Sequence, residues 1–195
     1  MQLHRLFSPA LLLLALALGA CSPQDATKVA PAAQAQRDIS LEAVAAGTKG
    51  FAVGALMSTH TAYVFFDPQC PHCGHLWEAS QPLQRKVKFV WIPVGLINAT
   101  STTQGAALLA AADPGAAMTA HEASLLAGKG GMAASSGITA EVEQALRSNT
   151  QLLTSLGAEG VPFMVARNAR TGQTVRREGA MATAALAEFL GVDAP

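Results

Sequence analysis

A pair of cysteines two residues apart, directly after a hydrophobic segment, constrains this sequence more than any other feature. The segment Thr61–Phe66 is a short run of β-branched and aromatic residues, which predicts a β-strand buried on both faces in mid-sheet. A turn follows, and then the motif Cys70-Pro71-His72-Cys73. Proline suits the first turn of a helix, because its missing N–H has no partner to lose there. We therefore predict a strand–turn–helix unit with the cysteine pair where the helix begins.

Strand and helix patterns alternate around this unit. Strands are expected at 51–57, 87–92, 161–166 and 174–178, and helices at 39–47, 71–86, 104–112, 116–127, 140–156 and 183–190. This order resembles the thioredoxin plan. We therefore predict an α/β chain with a thioredoxin-like fold and a helical insertion, at about 101–158, between its two halves.

The N-terminal residues predict export and lipid attachment. Residues 11–18 form a leucine and alanine run too short to span a bilayer, and Gly19-Ala20-Cys21 closes it. Small residues before a cysteine resemble a bacterial lipobox, so we expect a lipoprotein signal peptide at 1–20 and lipidation of Cys21. Ser22 favours sorting to the outer membrane. Residues 21–50 are expected to form a tether and a short helix ahead of a catalytic domain at 51–195. An ordinary signal peptide with a chance cysteine is the alternative.

Composition excludes several classes of protein. The chain has 195 residues, of which 50% are hydrophobic and 13% are charged, so it is too apolar for disorder. Its formal net charge of zero does not favour nucleic-acid binding. If Cys21 carries lipid, the other two of its three cysteines form one pair in an exported protein, where disulfides persist.

The position of Cys70 at a helix N-terminus predicts redox chemistry. Unpaired N–H groups and the helix dipole stabilise a thiolate there, and the thiolate is the nucleophile. Cys70 is expected to be exposed and to exchange with substrate, whereas Cys73, one turn further, is shielded and resolves the mixed disulfide. Pro71 and His72 are expected to tune the pair, with a solvent-facing helix position as the alternative for His72. The redox-active disulfide Cys70–Cys73 then needs no other cofactor.

Other interpretations of these residues are weaker. A zinc site needs more ligands than one cysteine pair, and the histidines lack a matching spacing, so no metal is predicted. Copper delivery through the same thiols lacks a methionine-rich loop. Asp67 is expected to form the turn through its side chain, with proton transfer as the alternative. The remaining positions are assigned to the core or the surface: Trp77 and Trp91 to the core, His75 to the helix surface.

The residues from Tyr63 to Cys73 resemble the active-site strand and motif of the DsbC/DsbG thiol:disulfide interchange proteins, DsbG most of all. The resemblance extends over about residues 60–190 and includes Val161-Pro162. It implies a periplasmic thiol:disulfide oxidoreductase, an isomerase or reductase, with Cys70 and Cys73 as catalytic residues. It also implies a cis Pro162 facing the motif, with Val161 offering its backbone to a bound peptide. Partners would be cysteine-containing envelope proteins and a membrane redox protein.

Three departures from the family leave alternatives open. Only about 40 residues separate Cys21 from the first clear strand, too few for the family's dimerisation domain, so a monomer is expected. The Pro71-His72 dipeptide and Val161 are similar to the oxidase DsbA. A disulfide-forming oxidase is therefore one alternative function. A membrane-tethered chaperone or assembly factor, which uses the peptide groove without turnover, is the other.

Overall fold

The computed structural model describes residues 40–134 and 137–195. The predicted signal peptide, the predicted lipidation site Cys21 and most of the predicted tether lie outside the described residues. Within the described ranges, no helix combines the length and hydrophobicity needed to cross a membrane.

The described residues form one mixed five-stranded sheet in the order β1-β3-β2-β4-β5. Its strands are β1 (Phe51–Gly54), β2 (Thr61–Phe66), β3 (Lys88–Pro93), β4 (Phe163–Arg167) and β5 (Thr174–Glu178). β2 lies in the middle, parallel to β3 and antiparallel to β4. The prediction of a central strand before the cysteine motif is therefore confirmed, and the motif leaves the sheet at the end of β2.

Helices cover both faces of the sheet. They are α1 (Leu41–Gly47), α2 (Pro71–Ser80), α3 (Ala99–Ala110), α4 (Pro114–Leu126), α5 (Ala140–Ser155) and α6 (Thr183–Leu190). Alternate β2 side chains point to opposite faces, so Val64 and Phe66 join the core beneath α2, α4 and α6. Phe65 joins a second core with Val44 and Leu153, from α1 and α5. The three helices α3 to α5 lie between β3 and β4, where the sequence predicted an insertion.

Two helix boundaries differ from the sequence prediction by more than two residues. α2 ends at Ser80 instead of near residue 86, and a 3₁₀ turn follows at Gln81–Leu83. Pro82 explains this, because a proline has no N–H to continue the helical ladder. α3 begins at Ala99, five residues before the predicted start. Asn98 caps it by accepting hydrogen bonds from the N–H groups of Thr100 and Ser101, at 2.8 and 3.3 Å.

Candidate active site

The turn between β2 and α2 places Cys70 at the helix N-terminus. Cys70 is the N-cap of α2, and Pro71 is its first residue. The N–H of Cys70 donates to the Asp67 carbonyl at 3.0 Å, and the Asp67 carboxylate accepts from the Gln69 N–H at 2.8 Å. The prediction that Asp67 forms the turn is confirmed. Its other oxygen accepts from the N–H groups of Leu96 and Ile97, at 2.7 and 3.0 Å, which joins this turn to the loop after β3.

The two cysteines are free thiols with unequal exposure. Cys73 is 0% exposed, as expected for a shielded residue, but Cys70 is only 5% exposed. The expectation that Cys70 is exposed is therefore wrong. The reason is that the segment at Val161 lies across it, close enough for the Cys70 thiol to donate to the Val161 carbonyl at 3.5 Å.

The neighbourhood of Cys70 favours its thiolate. The Cys73 thiol donates a hydrogen bond to it, the largest single cause that lowers the pKa of Cys70 to about 7, against the opposing effect of burial. Hydrogen bonds from the backbone N–H groups of Cys73 and His72 lower this pKa further, and the negative charge of Asp67 raises it. The sequence indicated the helix N–H groups as donors but not the larger contribution of the second thiol.

The surroundings of Cys73 favour its neutral thiol instead. Burial raises the pKa of Cys73 well above its usual range, and its hydrogen bond to Cys70 and the charges of Cys70 and Glu122 raise it further. Near neutral pH, Cys73 therefore keeps its proton, whereas the Cys70 thiolate is populated. One thiol is prepared to attack, and the other needs a base before it can do so.

The remaining predicted site residues surround the pair. The Val161–Pro162 peptide bond is cis, as the family resemblance implied, and Pro162 is buried next to the first residue of β4. His72 is exposed and meets the site through its backbone N–H. His75 lies on the surface with its ring nitrogen 3.7 Å from the Glu78 carboxylate. Trp77 and Trp91 are core residues, with ring centres 5.1 Å apart.

Sequence reasoning missed a polar cluster from the insertion that supports the cysteine turn. His121 is fully buried, accepts the Met132 N–H on Nδ1 at 3.0 Å and donates from Nε2 to the Pro68 carbonyl at 2.7 Å. Burial lowers the pKa of His121, consistent with this neutral form. Gln104 is also buried; its amide donates to the carbonyls of Gly130 and Met132 at 2.8 and 2.7 Å. His121 of α4 therefore fixes the cysteine turn through Pro68, and it shares the 130–132 segment as a binding partner with Gln104 of α3.

Sequence reasoning also did not identify Glu122 as a residue near the site. It is 1% exposed on α4, and burial raises its pKa to about 8, with the negative charges of Cys70, Glu78 and Asp67 contributing. The one available sequence signal was a lone carboxylate inside the apolar segment 116–127, and nothing local showed that this face of the helix is buried. In the described ranges, no group of three or more metal-ligating side chains could hold a metal ion.

Sequence comparison relates the chain to thiol:disulfide interchange proteins. It is 36% identical over 141 residues to DsbG of Pseudomonas aeruginosa, covering 71% of this chain and 54% of that protein. It is 34% identical over 102 residues to DsbG of Escherichia coli, covering 51% of this chain and 40% of that protein. The chain thus spans about half the length of the relatives it matches. No family model matches. The resemblance to the DsbC/DsbG family is confirmed.

Solved structures share the fold. A periplasmic thioredoxin-like protein from Salmonella enterica serovar Typhimurium superposes with a TM-score of 0.62 at 17% identity, covering 78% of this chain and 95% of that one. The catalytic domain of Proteus mirabilis ScsC gives a TM-score of 0.57 at 19% identity, covering 72% and 86%. The predicted α/β, thioredoxin-like fold with its helical insertion is confirmed.

We expect the reduced protein, carrying Cys21→Ala so that only two thiols titrate, to form its first thiolate near pH 7 by absorbance at 240 nm. Cys73→Ala removes the strongest hydrogen bond to that thiolate, so the Cys70 pKa should rise towards about 8.5. Cys73→Ser keeps an O–H donor and should give a lower value than Cys73→Ala. Equal values in the two variants would contradict the assigned hydrogen bond.

Proposed function

We propose that this relative of the DsbG proteins is a thiol:disulfide oxidoreductase that exchanges disulfides with protein substrates through Cys70 and Cys73. The observation that carries the proposal is the pairing of one thiol with a pKa of about 7 and a second, shielded thiol in contact with it. A structural disulfide would not need this asymmetry. A cysteine pair this close in sequence also closes too short a loop to stabilise the fold much.

The proposed reaction has two steps. The Cys70 thiolate attacks one sulfur of a client disulfide, and the bond between the client sulfurs breaks with its electron pair leaving on the other client sulfur. Cys73, once deprotonated, attacks the sulfur of Cys70 and releases the second client thiolate. The client is reduced and the Cys70–Cys73 pair is oxidised. Run in reverse, the same steps form a disulfide in the client.

The Val161 segment is suited to hold the client during this exchange. The Val161 carbonyl lies 3.5 Å from the Cys70 sulfur, and β4 begins two residues later. An extended peptide that pairs with the backbone at Val161 would bring its own sulfur to Cys70, in the manner of strand addition. Val161 and Pro162 are accordingly the proposed substrate-binding residues. Backbone pairing also suits clients of varied sequence.

The electrostatics favour reduction or isomerisation over oxidation. Strong oxidants of this fold stabilise the thiolate greatly, to a pKa of about 3.5 in DsbA, whereas thioredoxin has about 7. Cys70 resembles thioredoxin in this respect, because burial and the charge of Asp67 oppose its hydrogen bonds. Pro71-His72 and Val161, which resemble DsbA, favour the oxidase alternative. The exposure of His72 weakens its effect, since water screens a charge there.

We expect the protein to catalyse reduction of insulin by dithiothreitol, followed as turbidity. Cys70→Ala should abolish catalysis because it removes the nucleophile, and Cys73→Ala should accumulate a mixed disulfide with the client, visible on a non-reducing gel. His75→Ala, a change on the exposed face of α2, should retain activity. Assistance to client folding that is unchanged in Cys70→Ala would instead support the chaperone alternative and contradict the enzyme proposal.

The direction of exchange is testable by the reduction potential of the pair, from equilibrium with glutathione buffers. We expect a value between about −180 and −270 mV, the interval between protein disulfide isomerase and thioredoxin. A value near about −120 mV, the reduction potential of the oxidase DsbA, would contradict the proposed direction and support the oxidase alternative. The chain carrying Cys21→Ala is the appropriate sample, because it excludes exchange at a third thiol.

We further propose that the protein acts in the periplasm, anchored to the outer membrane through lipid on Cys21. The leucine and alanine run before Gly19-Ala20-Cys21 supports this, and a solved structure of the same fold is described as periplasmic. Its partners would be cysteine-containing envelope proteins, together with a membrane redox protein that resets the pair. A monomer is proposed, with reach limited by the tether.

Cell fractionation tests the anchor. The full-length protein should sediment with outer membranes and incorporate labelled palmitate, because several acyl chains bind a bilayer at about 0.8 kcal/mol for each buried CH₂. Cys21→Ala should lose both the label and the sedimentation. Recovery of both proteins in the soluble periplasmic fraction would contradict lipidation and support an ordinary signal peptide.

A further inference from the structure

We propose that Glu122 accepts the proton of Cys73 in the step that resolves the mixed disulfide. The inference rests on the proposed function and adds a residue of the helical insertion to its chemistry. It starts from a carboxylate that neither packing nor hydrogen bonding explains. A buried acid without partners is unfavourable for folding, so its presence beside two reactive thiols calls for a chemical reason.

Glu122 is nine-tenths buried or more, and both of its carboxylate oxygens lack a hydrogen-bond partner among the described residues. Its carboxylate lies against α2 at Gly74, the residue after Cys73. A β-carbon added at Gly74 would meet the Glu122 Oε2 atom at 2.7 Å and the Leu126 side chain at 3.2 Å. Glycine inside a helix is unfavourable compared with alanine, and here it gives the carboxylate room to lie against α2 next to Cys73.

The other acids near the pair are less suited to this role. Asp67 is buried, but the N–H groups of Gln69, Leu96 and Ile97 already occupy its two oxygens. Glu78 is on the exposed face of α2, where its side chain is 64% exposed and faces His75. Among the described residues close to the thiols, Glu122 combines a buried position with lone pairs that are free to accept a proton.

The charges around Glu122 also couple it to the reaction. Burial is the largest cause of the raised pKa of Glu122, and the negative charges of Cys70, Glu78 and Asp67 raise it further. When Cys70 joins a client sulfur, its negative charge disappears and one of these causes is removed. The Glu122 carboxyl group then ionises more easily, at the point where Cys73 must lose a proton. Formation of the mixed disulfide therefore favours the ionised form of Glu122, which can then accept the proton of Cys73.

The proton and the electrons balance in this step. The proton of the Cys73 thiol passes to the Glu122 carboxylate, and the resulting thiolate attacks the Cys70 sulfur. The bond between Cys70 and the client breaks, and its electron pair leaves with the client thiolate, which takes a proton from solvent. Glu122 afterwards returns its proton to solvent. The products are the Cys70–Cys73 disulfide and a reduced client.

Stopped-flow reaction with excess 5,5′-dithiobis(2-nitrobenzoate) separates the two steps, again in the full chain carrying Cys21→Ala. Attack by Cys70 releases one nitrothiobenzoate, and resolution by Cys73 releases a second in a phase independent of reagent concentration. Glu122→Gln should slow the second phase by about 100-fold at pH 7, a typical contribution of general base catalysis, with little change in the first. The slow phase should then rise in proportion to hydroxide concentration, because solvent becomes the base.

Two further variants complete the test. Glu188→Gln makes the same substitution on the exposed face of α6 and should change neither phase. Glu122→Asp keeps a carboxylate one methylene shorter and should slow the second phase less than Glu122→Gln while keeping its pH dependence. A second phase that is unchanged in both Glu122 variants would overturn the inference and leave the proposed function intact. Absence of the first phase in the parent chain would instead contradict the proposed function itself.

Discussion

The hydrogen bond from the Cys73 thiol to the Cys70 sulfur is the interaction on which the rest of the site depends. It contributes most to lowering the pKa of Cys70 to about 7, and it adds to the burial that raises the pKa of Cys73, so the two side chains differ chemically. The contact exists because β2 ends in the centre of the sheet and α2 begins at once. A helix turn then places residues three apart on the same side.

The helical insertion contacts both the cysteine turn and α2. His121 and Gln104 hold the cysteine turn and the 130–132 segment together through buried hydrogen bonds. Glu122, the next residue on α4, turns towards α2 instead and meets Gly74. The same helix thus supports the turn and places a carboxylate against α2 at the residue that follows the shielded thiol.

Local sequence patterns predicted the parts of the structure that local physics determines. The β2–α2 unit, the role of Asp67 in the turn and the shielding of Cys73 follow from hydrophobic runs, proline and helix geometry. The low exposure of Cys70 and the roles of His121 and Glu122 could not be predicted in this way. They depend on contacts between segments far apart in sequence: Cys70 and Val161 are separated by 91 positions, and Pro68 and His121 by 53. The first turn of α3 was missed because the serine and threonines that follow Asn98 are themselves common N-cap residues, so the sequence did not show which residue caps the helix.

The most direct test of the central claim is which sulfur reacts. The reduced full chain carrying Cys21→Ala would be treated with limiting iodoacetamide at pH 6.5, and the labelled cysteine identified by peptide mass spectrometry. We expect label almost wholly on Cys70, because its thiolate is populated at that pH while Cys73 keeps its proton within the core. Equal labelling of the two cysteines, or faster labelling of Cys73, would contradict it.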